Sequence, residues 1–463
     1  MLHVPIEITI LHLPNELLTN IGGNLHWFQL RNMRLSCKTL CDAMDPIFHK
    51  CFILNGSAVV LKLPESLRLF EDMAKGRSKW PQYAKEVVVR TGSKTLEKQI
   101  YSSWVGPFQY TELLEMALRS MKNICTVSWR VSNKDVPWIC EALQRTLPFI
   151  PLLAKLNISI DIQSRNAEVC IAGVSGLKHL KINDWGQRCP LGPQVSDIVA
   201  QSPELTSLHL PGHRSYSVVW PIFNSAISKS VRLTQLTTHT VATELLTYLA
   251  SYSGLEMLAL NGVDAGNRQA SDELAYCFFT TVLPHHAETL VNLSCTAGYE
   301  SNWSFGTHNV ASLLSLHRLQ RLRVSVNAAD VFDPINRTQR KRNIKTIDNN
   351  VHLLLRSVHH LPSLECVSIT YGAAQGNRNA RCGNPRQTHA KLMEEGIQIS
   401  VEAFKTEVPS ALQVWAPGGI YHQVNIFDEQ VCAESTGSHR QIFAYRHPAS
   451  PNSGISPPTL IDC

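Results

Sequence analysis

Along residues 11–54 apolar side chains recur at helical spacing. Leu17, Leu18, Ile21 and Leu25 form one group, and Leu30, Met33, Cys37, Leu40, Cys41 and Met44 a second. The pattern predicts two or three short amphipathic helices. Pro14 stands where the first helical residue is expected, since its missing N–H costs nothing there and its fixed φ suits the first turn. Ser36 is placed to cap the last helix. Gly22-Gly23-Asn24 reads as an early helix stop, because each glycine inside a helix costs about 1 kcal/mol relative to alanine. A module of about 40 residues is near the lower limit for folding without a disulfide, a metal or a partner. A partner is the natural completion.

Beyond this stretch the pattern changes period. Phe52-Ile53-Leu54 and Val87-Val88-Val89 read as strands; between them residues 65–76 place Leu67, Phe70 and Met73 on one helical face, with Gly76 as the stop. From residue 121 one form recurs: apolar, two residues, apolar, one residue, usually apolar. It begins at Ile124, Leu153, Leu177, Leu205, Leu233, Leu255, Leu290, Leu319 and Leu364. Helices are expected between strands, for example over 241–251 and 309–316. Units of this kind cannot bury their apolar side alone, so neighbours are expected to stack with a parallel sheet. An irregular α/β domain is the alternative. Toward the C-terminus, residues 392–408 read as a helix with Ile397, Val401 and Phe404 inward, and residues 412–427 as a capping hairpin around Pro417-Gly418-Gly419.

Two family resemblances follow. Leu13-Pro14-Asn15-Glu16-Leu17-Leu18, then Ile21, Leu25, Leu30, Met33-Arg34-Leu35, Cys37-Lys38, Leu40, Asp42 and Pro46-Ile47-Phe48, resemble the F-box in order and spacing. That resemblance implies a helical module docking on the Skp adaptor of a Skp–cullin–F-box ubiquitin ligase. Leu13, Pro14, Leu17, Leu18, Ile21, Leu25, Leu30 and Leu35 would then lie at or beneath the adaptor surface. Gly22-Gly23-Asn24 departs from the family's better helix formers, and Gln29 replaces a commonly acidic residue. The recurring form is similar to leucine-rich repeats, although only Asn327 occupies the Asn/Cys position of that motif; Asp161, Trp185, His213 and Val263 stand there in other repeats. The whole resembles the F-box/leucine-rich-repeat proteins abundant in filamentous fungi.

The fold class expected is α/β, a short all-helical F-box followed by a leucine-rich-repeat-like solenoid. Its expected parts are an F-box at 8–52, a connecting α/β segment at 53–120 and an array at 121–371 with a loop insertion at 328–348. A Gly/Asn/Arg loop at 372–391, a cap at 392–430 and a disordered tail at 431–463 complete it. The function implied is that of a non-catalytic receptor whose repeat domain binds a target protein for ubiquitination. A scaffold acting outside a cullin ligase is the alternative within binding proteins, and an enzyme on an unrecognised α/β scaffold the alternative outside them.

Composition narrows the classes. With 44% hydrophobic and 17% charged residues the chain reads as globular, not disordered. No apolar run reaches 18 residues, so no membrane partner is expected, and the N-terminus lacks the features of a signal peptide. Thirteen cysteines without paired spacing suit a reducing compartment, cytoplasmic or nuclear, where the Asn-x-Ser/Thr matches have no meaning. A net charge of +6 over 463 residues argues for solubility more than for nucleic-acid binding. Arg337, Arg340, Lys341, Arg342 and Lys345 read as a solvated loop in preference to a localisation signal or an acidic-partner site.

No cofactor is expected. Gly92-Ser93-Lys94-Thr95 lacks the earlier glycine and the lysine position of a phosphate-binding loop. Cys37, Cys41, His49 and Cys51 have poor zinc spacing and read as core. The adjacent pairs His285-His286 and His359-His360 point apart and make poor chelates.

Overall fold

The computed structural model describes residues 10–56, 63–90, 107–132, 137–161, 169–184, 191–212, 214–225, 231–332, 349–378, 384–426 and 441–447. The Gly92–Thr95 segment, the basic cluster 337–345, Trp185, His213 and the chain beyond 447 lie outside them. Two compact units divide the chain, Met1–Leu205 and Thr206–Cys463.

The first unit opens with α1 (Asn15–Gly23), α2 (Trp27–Ser36) and α3 (Lys38–Phe48). α3 packs against both others. Leu18, Leu30, Leu40, Ala43 and Met44 form the buried centre, with Leu13, Leu25, Met33, Cys37, Ile47 and Phe48 around it. Three local expectations are corrected. Pro14 precedes the helix and does not begin it; its carbonyl accepts from the N–H groups of Leu17 and Leu18 at 3.0 and 3.1 Å. Ser36 ends α2, its hydroxyl donating to the Asn32 carbonyl, and the extended Cys37 precedes α3. The helix also runs through Gly22 and Gly23 before stopping at Asn24. Gly22 is there for close approach: a Cβ would collide with Met44 Sδ and lie 2.8 Å from Ile47 Cδ1. Nothing crowds Gly23.

Five parallel strands follow: β1 (Cys51–Asn55), β2 (Glu86–Arg90), β3 (Thr126–Val131), β4 (Lys155–Ile160) and β5 (His179–Asp184). Alternation sends every second side chain inward, and register aligns those residues into rows. Phe52, Val87, Val127, Leu156 and Leu180 make one buried row; Leu54, Val89, Trp129, Ile158 and Ile182 make the next. Helices Leu63–Ala74, Pro107–Ser120 and Pro137–Thr146 alternate with β1–β4 and bury Phe70, Met73, Leu114, Leu118, Trp138 and Leu143. Within the segment expected to lead into the repeats at 53–120, β2 and the end of β1 already pair in the sheet. Trp80 joins the helical module to it, standing edge-on to His49 at 4.9 Å and to Phe52 at 5.1 Å.

The second unit repeats the scheme. β6 (Ser207–Leu210), β7 (Gln235–Thr238), β8 (Met257–Val263), β9 (Asn292–Ala297), β10 (Arg321–Val326) and β11 (Cys366–Tyr371) run parallel. β12 (Lys405–Thr406), β13 (Gln413–Ala416), β14 (Gly419–Ile426) and β15 (Ile442–Arg446) complete the sheet. β13 pairs parallel with β11, then the direction alternates through β14 and β15 to β12. Leu208, Leu236, Leu258, Leu293, Leu322, Val367 and Val414 form one continuous buried row. In all nine recurrences the leading apolar residue sits two positions before its strand, and each but the half-buried Leu364 is buried.

The molecule is therefore mixed α/β, with mostly parallel strands alternating with helices. Four boundaries differ from expectation. Ala328–Val331 is a helical turn, not the start of a loop. The long helix begins at Asn384 and ends at Ala403, so residues 384–391 of the expected Gly/Asn/Arg loop are helix. Ahead of it Ala373 and Arg378 are tied down: Ala373 donates to Gly298 (3.1 Å), Glu300 donates to Ala373 (2.9 Å), and Arg378 meets Asp264 (2.5 Å) beneath the Tyr299 ring. Gly372 is required because a Cβ would lie 3.0 Å from the 299–300 backbone. Finally, the tail expected at 431–463 contributes β15, whose Ala444 and Tyr445 are buried.

Gly22→Ala is expected to lower stability by about 1–2 kcal/mol, overpacking outweighing the gain in helix propensity, whereas Gly23→Ala is expected to raise it by up to about 1 kcal/mol. Equilibrium denaturation of the two variants checks the opposite signs.

Candidate functional site

The eight residues singled out in the helical module separate by burial. Leu18 and Leu30 are core; Leu13 and Leu25 are half-buried against that core. Pro14 is exposed, as are Leu17 (48%), Ile21 (37%) and Leu35 (67%). Leu17 and Ile21 are four residues apart on α1 and so share a face. Phe28 and Leu35, seven apart on α2, share one also. Phe28 is 63% exposed and Trp27 48%, its ring stacked on Phe48 at 4.6 Å. These two aromatics were missed by the pattern reading. Adjacent aromatics at a helix start cannot both face one core, and that signal was available.

The framework that presents these side chains is fixed by polar contacts. Arg34 Nε donates to the buried Asp45 carboxylate at 2.5 Å, tying α2 to α3, while its guanidinium lies 4.7 Å above the Phe48 ring. Removing one partner of such a pair leaves a buried charge uncompensated, at a cost of roughly 3–5 kcal/mol. Gln29 accepts from the His26 N–H at 3.0 Å, a capping role that also suits an acidic residue. Arg34 and Gln29 thus serve the module's structure.

The strands present a second kind of surface. In the first unit the outward residues are half-exposed or exposed and largely polar: Val88, Ser128, Asn157 and Lys181 form an aligned row beside Arg90, Arg130, Ser159 and Asn183. A shallow depression of about 400 Å³ lies over them. In the second unit a depression of about 800 Å³ is lined by Arg321, His359, Glu365, Ser368, Gln413 and Trp415, among others.

Among the described residues no group of three His, Cys, Asp or Glu side chains is placed to hold a metal. Cys37 and Cys41 are half-buried within the helical module, and the buried His49 engages the Asp45 carbonyl through Nδ1 at 3.0 Å. No described helix is long and apolar enough to cross a membrane. His286, one of the adjacent pairs, is buried between neighbouring repeats. Its Nε2 lies 3.0 Å from the Leu249 carbonyl and its Nδ1 accepts from the Leu255 N–H at 3.4 Å. That pairing requires the neutral ring, and burial pushes the pKa down to about 4. No protein-family model matches the sequence, and no curated protein is significantly similar to it.

A histidine held neutral in the fold binds fewer protons than its unfolded counterpart, so it withdraws stability as pH falls from about 6.5 and ceases to do so below about 4. The wild-type melting temperature is expected to fall more steeply across that window than that of His286→Asn, measured side by side; parallel profiles would contradict the assignment.

Proposed function

We propose that this protein is a non-catalytic substrate receptor of a Skp–cullin–F-box ubiquitin ligase, with α1–α3 an F-box docking on the Skp adaptor and the strand–helix array a leucine-rich-repeat-like solenoid that binds a target protein. The observation that carries the reading is that Leu17, Ile21, Trp27, Phe28 and Leu35 stay exposed on a module whose core is complete without them. Isolated exposed apolar residues need no explanation, but five of them on so small a module, two pairs sharing helix faces, favour a protein partner. Parallel pairing of the recurring segments, each with its leading apolar residue below the strand, supports the repeat reading.

In this role the receptor contributes proximity. Docking through α1–α3 and target capture by the strand–helix array raise the effective concentration of target lysines near a charged ubiquitin thioester, and the transfer is performed by other subunits. Thiols such as Cys37, Cys41 and Cys51, free in the structure, fit a cytoplasmic or nuclear setting. A scaffold bound to the adaptor alone is the second reading, favoured by the same exposed surface.

Affinity purification from cells is expected to recover Skp and cullin subunits with the wild-type chain. Leu17→Asp combined with Ile21→Asp is expected to lose both while the chain stays folded, with a stability loss of only about 1 kcal/mol from aspartate's lower helix propensity, since neither side chain belongs to the core. Recovery of Skp without cullin selects the scaffold; recovery of neither by the wild type contradicts both readings.

A further inference from the structure

The outward face of β2–β5 carries a charge pattern that the helical module does not explain. Arg90, Arg130, Lys155 and Lys181 stand on it, and none makes an ion pair with a described residue. Among the described residues the carboxylates of the same face, Glu86 and Asp161, lie at its two ends, while Asp184 is buried. Between the cations lie Ser128, Asn157 and Ser159; the Asn157 amide donates to Ser128 Oγ at 3.2 Å, and Asn183 Oδ1 is buried without a hydrogen-bond partner. His179, on the same face, has its pKa lowered by burial first and then by Lys155 and Lys178.

The chemistry favours a polypeptide over a nucleic acid. A face that binds single strands offers aromatic rings for stacking, and here the one aromatic of the depression, Trp129, is buried on the inner side. What remains is a row of hydroxyls and amides able to bond a peptide backbone, flanked by cations. β3 and β5 are two strand spacings apart, about 10 Å, which an extended peptide covers in about three residues. Guanidinium groups receive carboxylates or phosphates through paired N–H donors, and the lysine ammonium receives them as a point charge.

We propose that this face binds an extended anionic segment of the target protein, with one carboxylate or phosphate received by Arg90 and Arg130 and a second, about three residues along, received by Lys181. The proposal deepens the receptor reading and rests on it for the ligand's being a target protein.

Fluorescence anisotropy with the full-length chain tests it, using labelled Gly/Ser peptides of about nine residues in which two positions three apart carry serine, phosphoserine or glutamate. The anionic peptides are expected to bind more tightly than the serine peptide and to weaken from about 50 to about 200 mM salt. Arg90→Glu with Arg130→Glu is expected to weaken them by about tenfold or more, Arg130→Ala alone by less, and Lys122→Glu, off this face, not at all. Binding of phosphoserine alone assigns the ligand as phosphorylated, and binding of both as acidic in general. Equal affinity for all three peptides, or indifference to charge reversal, overturns the proposal. Skp recovery by the Arg90→Glu, Arg130→Glu variant is expected to match wild type, so failure here and failure of adaptor docking are read separately.

Discussion

In-register burial along the parallel strands is the constraint on which the remaining structure depends. A single strand with its helix leaves an apolar face open, and each row, such as Leu208 through Val414, closes that face only by meeting its counterpart in the next strand. Each fully buried aliphatic side chain contributes about 1.5–3 kcal/mol, so a row of this length outweighs any local contact in the unit. Because alternation assigns the inward positions to this task, the outward ones are released from it. In the first unit they hold Ser128, Asn157, Arg130 and Lys181 where an ordinary core would tolerate none.

The helical module solves a different problem with fewer residues. α3 is its post, and α1 reaches it only because Gly22 has no side chain, while α2 is fastened through Arg34 and the buried Asp45. With the inner faces satisfied, Leu17, Ile21, Phe28 and Leu35 are left over. Their exposure is what supports the external partner proposed for the module, and their separation from the core allows the surface to be altered without unfolding it.

Much of this architecture is legible in the chain. The recurring apolar form anticipates every strand from β3 to β11, since a two-residue lead followed by alternation is what a buried row demands. Gly76 and the Gly418-Gly419 turn were readable because positive φ there requires glycine. Other features depend on distant contacts and left no local signal. The helix at 384–403 begins in a polar, Gly/Asn/Arg-rich stretch; β15 is recruited from the C-terminal region because β14 offers an open edge. Gly22 reads as a stop until Met44 and Ile47 are seen beside it. In the module, spacing identified the apolar residues but not which were core: Leu17 and Leu18 are adjacent, and only the packing of α1 on α3 distinguishes them.

The most direct test of the account is hydrogen–deuterium exchange of the full-length chain with and without purified Skp adaptor. The account predicts added protection concentrated in α1 and α2, residues 15–36, with the strands of both units unchanged. Protection on the strands in place of these helices, or none anywhere at saturating adaptor, would contradict it.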